Sequence, residues 1–178
     1  EISKDVISVK KPAVLFNGLH HAREVMTPEA VYDIAEYLLS RYGSDEAVTA
    51  WVDSLDIWVI PMVNPDGSKI VFEEDGMWRK NAHSLAFWKF GVDLNRNYGY
   101  DFGGDSTSTL RSSQTYTGTE AFSEPESKAM ADLNAAVHFA FSVSYHSFGE
   151  MVLYPFSGNK KTSSEDALFK HVGSQMAS

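Results

Sequence analysis

Two histidines and a glutamate crowd into one short stretch, His20-His21-Ala22-Arg23-Glu24, and a further histidine, His146, lies far downstream. Imidazole and carboxylate are metal-ligand groups. A catalytic zinc takes three such protein ligands and keeps one position open. His21, Glu24 and His146 could supply that set, with the glutamate neutralising part of the dication and the imidazoles suiting zinc's borderline softness. His20 competes with His21: neighbours in extended chain point to opposite sides, so one of the two faces the site and the other packs elsewhere. The chain has no cysteine, so any metal must be held by His, Asp or Glu. Two arginines add a second chemistry. A guanidinium binds a carboxylate bidentately, and a cation beside a metal can stabilise a developing oxyanion. Arg79, and Arg96 next to Asn95, are available for such roles.

These residues need elements to hold them. Ala13-Val14-Leu15-Phe16 is a continuous apolar run that suits a central parallel strand, and it ends just before the His-His stretch. In open α/β sheets ligands bind outside the carboxyl ends of strands, so His21 and Glu24 stand in a favourable place. Thr27 and Pro28 predict a helix start, as N-cap and first helical position, ahead of an apolar stripe through Val31, Ile34, Leu38 and Leu39. A shorter helix is expected over 46–54 and a strand over 55–63. Asn64-Pro65-Asp66-Gly67 reads as a turn in which Gly supplies positive φ. From 68 to 122 the pattern is irregular, and long loops of this kind in a compact domain are functional or disordered; the motifs Trp78-Arg79-Lys80 and Asp93-Leu94-Asn95-Arg96-Asn97 favour function. Ser123 and Glu126 predict a capping box opening the next helix. A strand over 139–145 then delivers His146, a short β segment follows at 151–154, and a last helix is expected over 163–176. Alternation of strands and helices indicates one α/β domain with a mixed, largely parallel twisted sheet between helices.

At 178 residues and a net charge of −9, the chain has the size of one domain and lacks the basic stripe that a nucleic-acid surface requires. No apolar run approaches a membrane span. His138 and His171 are expected to be ordinary histidines.

Five landmarks occur in one order: His21-Ala22-Arg23-Glu24, Asn64-Pro65-Asp66-Gly67, Trp78-Arg79-Lys80, Asp93-Leu94-Asn95-Arg96-Asn97, and His146-Ser147 followed by Leu153-Tyr154-Pro155. Together they resemble the zinc metallocarboxypeptidases of the carboxypeptidase A/B/T type, and Tyr98-Gly99-Tyr100 is most similar to the bacterial, carboxypeptidase T side. The resemblance implies one zinc per chain on His21, Glu24 and His146. It implies that Asn95 and Arg96 hold the substrate's terminal carboxylate, that Arg79 polarises the scissile carbonyl, and that Arg23 and Ser147 contact substrate. It also implies a monomer acting on peptide or protein C-termini, in an extracellular or periplasmic location.

Departures from the pattern define further expectations. Phe148 stands where many members have Tyr, and Val25 where a Trp often follows the Glu. A full domain of this family continues past Ser178, so the chain is expected to be incomplete at both ends. The general-base glutamate and most of the side-chain pocket are expected beyond Ser178. Glu150 has no argument placing it near the metal, and Ser157, on one expected wall of the pocket, does not decide which residue is removed. Two other readings stay open: a related zinc amidohydrolase acting on N-acyl amino acids or cell-wall peptides, and a non-catalytic module that binds zinc or peptide C-termini.

Overall fold

The strand β1, Ala13–Gly18, lies at the centre of a three-stranded sheet, between β2, Asp56–Ile60, and β3, Phe141–Tyr145. A computed structural model describes residues 11–83, 90–156 and 161–177; the expectation for Ser157 lies outside them. Both pairings are parallel, with Leu15 opposite Trp58 on one side and Ser142 on the other. Parallel neighbours need crossovers. Between β1 and β2 the crossover is made by helices α1, Met26–Arg41, and α2, Glu46–Ser54. Helix α1 packs against all three strands and against α2. Val31 and Val48 are fully buried there, each contributing about 1.5–3 kcal/mol by its removal from water. Helix α3, Pro65–Glu73, follows β2; α4, Pro125–Val137, precedes β3; and α5, Asp166–Met176, lies beyond it. The architecture is thus α/β with a parallel sheet, as the alternation predicts.

Several local expectations give way to tertiary bonding. Thr27 does not cap α1: the N-cap position is Val25, and the threonine hydroxyl instead accepts from the Leu19 N–H at 2.9 Å and donates to the Glu24 carbonyl at 2.8 Å. The predicted capping box at Ser123 and Glu126 does not form either. Glu124 is the N-cap of α4, and its N–H donates to Asn97 Oδ1, 3.2 Å away across the fold. No strand forms over 151–154.

Asn64-Pro65-Asp66-Gly67 is the start of α3 rather than a free turn. Asn64 is the N-cap, its Oδ1 accepting from the Gly67 N–H at 3.0 Å, and Pro65 occupies the first turn. Gly67 is required by close approach and not by φ, because a Cβ there would lie 2.7 Å from the Lys80 carbonyl oxygen. Fully buried, Asn64 also donates through Nδ2 to the carbonyls of His20, at 3.1 Å, and Lys80, at 3.2 Å. One side chain therefore caps a helix and ties the His-His loop to the Arg79 segment. Asn64→Ala should lose about 2–4 kcal/mol of stability, combining the lost cap with buried carbonyls left without donors. Asn64→Asp retains the cap acceptor but turns an oxygen onto two carbonyls. Its denaturant midpoint should fall at least as far as that of Asn64→Ala, and a midpoint near wild type would rule out the tie.

Candidate metal centre

Directly after β1 the chain turns through Leu19, which is buried and has φ of 58°. A left-handed non-glycine costs on the order of 1–3 kcal/mol and persists only where its surroundings over-determine it. Here the Leu19 N–H is held by Thr27, and the Ala22 N–H donates to the Arg79 carbonyl at 2.9 Å. The turn separates the two adjacent histidines. His20 points to Tyr98, with Nε2 2.7 Å from its hydroxyl, whereas His21 points to Glu24, with Nδ1 2.7 Å from Oε1. The choice between them that the spacing leaves open thus falls on His21.

His146 arrives from the neighbouring strand, immediately after β3. Its Nδ1 lies 3.1 Å from His21 Nδ1 and 2.9 Å from Glu24 Oε2. Two ring nitrogens facing each other and one carboxylate need a cation or a proton among them. A tetrahedral zinc with bonds of about 2.0–2.1 Å separates its donors by about 3.3 Å, slightly more than the edges of this triangle. The set is chemically complete for such an ion: two imidazoles, one carboxylate, and ligand atoms that all lie within 4.8 Å of one another. His21, Glu24 and His146 could therefore hold a divalent metal. They are unequally buried, the side chain of His21 being 5% exposed and that of His146 32%.

The electrostatics are those of a site prepared for a cation. Burial alone would raise the Glu24 carboxyl, but hydrogen bonds from His146 and His21 prevail and bring it down to about 2. Burial pulls the His21 imidazole down, yet bonding to Asp93 and Glu24 more than compensates, and the net direction is up. His20 goes the other way, lowered to about 3 by burial first and then by repulsion from His146 and His21, so its ring stays neutral.

Asp93 is a member of this centre to which the sequence reading assigned no role. Its Oδ1 lies 3.2 Å from His21 Nε2, and its Oδ2 accepts from Arg79 Nε and Nη2 at 3.2 and 2.9 Å. A carboxylate on the outer nitrogen of a ligating histidine fixes its tautomer and orientation. Its sequence signal was the position two residues before Asn95 in Asp93-Leu94-Asn95-Arg96-Asn97. The Arg79 expected to act on substrate is thus also the partner of a buried anion.

The remaining predicted residues gather along an open cleft of about 690 Å³ above the triad, lined by Arg23, Arg79, Asn95, Arg96 and Ser147 among others. Asn95 and Arg96 lie on a single 3₁₀ turn, Leu94–Arg96, whose Asn95 N–H donates to Asp93 Oδ1 at 3.1 Å. Arg96 donates from Nε to the Ser106 carbonyl at 3.2 Å, and Arg23 donates to the Met77 carbonyl at 3.3 Å. Among the described residues lining this cleft, Glu24 is the only carboxylate, and Glu150 does not line it.

Metal uptake here must displace protons. With Glu24 down at about 2 and His21 raised, a proton expelled on zinc binding comes from imidazole and not from the carboxylate. Zinc affinity should rise with pH and fall about tenfold per unit as pH drops below the His21 value. Calorimetric titration in buffers of different ionisation enthalpy should register that release, and none would exclude a protonated His21 in the metal-free site.

A family model described as zinc carboxypeptidase matches residues 1–178. Metallocarboxypeptidase A of Trichophyton tonsurans is 38% identical over 151 residues, which is 82% of this chain and 36% of the relative. An inactive metallocarboxypeptidase of Arthroderma otae is 34% identical over 83% of this chain and 26% of its own length. Among solved structures, thrombin-activatable fibrinolysis inhibitor superposes with a TM-score of 0.86 at 29% identity, covering 93% of this chain and 42% of the other. Carboxypeptidase A of Helicoverpa armigera gives 0.80 at 36% identity, covering 96% and 42%. The chain spans about a third of the length of the first of these curated relatives, 36%. With its triad, its arginine-lined cleft and a family match along its whole length, the chain belongs to the zinc carboxypeptidase family.

Proposed function

We propose that residues 1–178 belong to a single catalytic domain that removes the C-terminal residue of peptides and proteins. The observation that carries this reading is the convergence of His21, Glu24 and His146 at the base of a cleft whose walls include Arg79, Asn95 and Arg96. Zinc bound to the three ligands would supply Lewis acidity and a water acidic enough to attack a carbonyl at neutral pH. The protein's own groups do the rest. Arg96 and Asn95 receive the terminal carboxylate, Arg96 contributing a planar cation suited to bidentate pairing. Carried on a turn anchored to Asp93, they set the distance from the chain end to the metal site, which is how an enzyme of this kind counts one residue. Arg79, pinned by Asp93, faces the cleft as a preorganised donor for the oxyanion of the scissile carbonyl. Arg23 and Ser147 contact the substrate further along the cleft. Glu24 is the only carboxylate lining the cleft among the described residues and is taken as a ligand, so none of the cleft residues is assigned as general base. Monomeric action in an extracellular or periplasmic location completes the reading and follows from the resemblance.

The experiment is hydrolysis of matched free-acid and amidated peptides by the full natural protein loaded with zinc. Release of the last residue from the free acid alone is expected. Cleavage confined to N-acyl amino acids would move the site to the related amidohydrolases. Zinc binding without turnover would make it a non-catalytic module, a case made concrete by the inactive relative. Arg96→Ala should raise KM for free-acid peptides about 10²-fold, the scale of a charge-assisted hydrogen bond pair, and an unchanged KM would remove it from carboxylate binding. Arg79→Ala should lower kcat about 10²-fold or more, and an unchanged kcat would remove it from oxyanion stabilisation.

A further inference from the structure

The outer nitrogens of the two ligand histidines meet different groups. His21 Nε2 faces the buried carboxylate of Asp93 at 3.2 Å. Among the described residues, His146 Nε2 faces a hydroxyl, Ser144 Oγ, at 3.4 Å. That hydroxyl is 3.3 Å from His20 Nδ1, and His20 Nε2 is 2.7 Å from Tyr98 Oη. A continuous line of polar atoms thus runs from Tyr98 through His20 and Ser144 to the back of the more exposed ligand.

We propose that Tyr98, His20 and Ser144 form a hydrogen-bonded support that positions His146, the counterpart for the second histidine of what Asp93 and Arg79 do for the first. The proposal rests on the zinc reading of the triad. All three are positioning residues that act through His146.

Proton accounting supports the line. With His146 Nδ1 turned toward Glu24 and His21 as a ligand atom, its proton must sit on Nε2, which donates to Ser144 Oγ. The Ser144 hydroxyl then donates to His20 Nδ1. With His20 Nδ1 accepting, its proton is on Nε2 and donates to Tyr98 Oη. Every link has one donor and one acceptor, and no two protons face each other. The scheme therefore assigns the Nε2–H tautomer to His20.

Packing holds the parts in place. Ser144 is a strand residue paired in register with Asn17 of β1, so its hydroxyl is placed by the sheet and not by a mobile loop. His20 is buried, its ring centroid 5.7 Å from that of His146, and Tyr98 is set edge-on against Phe122 at 6.0 Å. The ligand supported in this way is the one with 32% of its side chain exposed, where burial alone restrains the ring least.

An isosteric pair at residue 144, made in the full natural protein, tests the support. Ser144→Val and Ser144→Thr are both β-branched and suited to a strand, but only Thr retains the hydroxyl. Zinc affinity, read by chelator competition, should weaken about tenfold in Ser144→Val and stay near wild type in Ser144→Thr, the lower end of what loss of an outer-shell partner costs. A merely structural role would affect both variants alike. Nitrogen-15 NMR of the imidazoles gives a second readout that needs no variant at residue 144: His20 should be the Nε2–H tautomer, and Tyr98→Phe should release it toward a mixture. Equal affinity in Ser144→Val and wild type, or an Nδ1–H tautomer at His20 in wild type, would overturn the proposal. Wild-type protein that takes up no zinc would instead bring down the metal reading on which the proposal stands.

Discussion

A carboxylate without solvent contact must be given partners by the fold, and much of this site follows from how that demand is met at Asp93, which is fully buried. Its two oxygens take up His21 Nε2 and the Asn95 N–H on one side and the Arg79 guanidinium on the other. Leaving such a charge unpaired costs about 3–5 kcal/mol, so the three partners are not independent choices. The carboxyl itself is pushed up by burial, but His21 and Arg79 together hold it below the ordinary aspartate value. The proposed metal ligand, the proposed oxyanion donor and the start of the proposed carboxylate clamp are thereby fixed relative to one atom group. A catalytic centre drawn from residues far apart in sequence gains its precision in this way.

The same logic explains how a long segment nearly free of regular structure can hold a site. Buried amide side chains replace the backbone ladders that are missing. Asn81 accepts from the N–H groups of His83 and Val92 and donates to Glu124 at 2.7 Å. Asn97 donates to the Thr117 and Glu120 carbonyls and accepts from the Glu124 N–H and the Ser127 hydroxyl. Lys80, also buried, donates to the carbonyls of Arg111 and Ser113 at 2.8 and 3.0 Å. The motifs Trp78-Arg79-Lys80 and Asp93-Leu94-Asn95-Arg96-Asn97 thus each combine a cleft-facing arginine with neighbours that fasten the segment. Function and scaffold alternate along the same few residues.

That alternation sets what could be read from the residues alone. The candidate ligand types, the strands that carry them and the order of the landmarks were legible because hydrophobic period and spacing are local. The roles of Thr27, Asn64 and Asn97 were not. Each has a side chain suited to capping its own surroundings. Thr27 instead bonds Leu19 and Glu24, Asn97 caps a helix 28 residues away, and Asn64 caps its own helix while gripping two distant carbonyls. Capping propensity names a residue's hydrogen-bonding capacity but not its partner. Asp93 was missed for a related reason: a buried acid in an irregular stretch carries no periodic signal, and its importance appears only once His21 and Arg79 are seen to share it.

Parallel pairing is the condition that lets so few residues make the site. In register, Gly18 stands opposite Tyr145, so the chain leaves β1 toward His21 and leaves β3 toward His146 at the same end of the sheet. Were β3 antiparallel in the same position, its carboxyl end would lie at the far end of β1. His146 would then be displaced by about five residues of strand, on the order of 16 Å at roughly 3.3 Å per residue, out of reach of any single ion. Only a short turn is then needed to bring a second candidate ligand back toward the first, and Leu19 provides it with its left-handed backbone. The strained corner, the buried aspartate and the parallel crossover are consequently parts of one solution. The crossover brings two strand ends together, the corner aims His21 and Glu24 across the gap, and Asp93 keeps His21 from turning away.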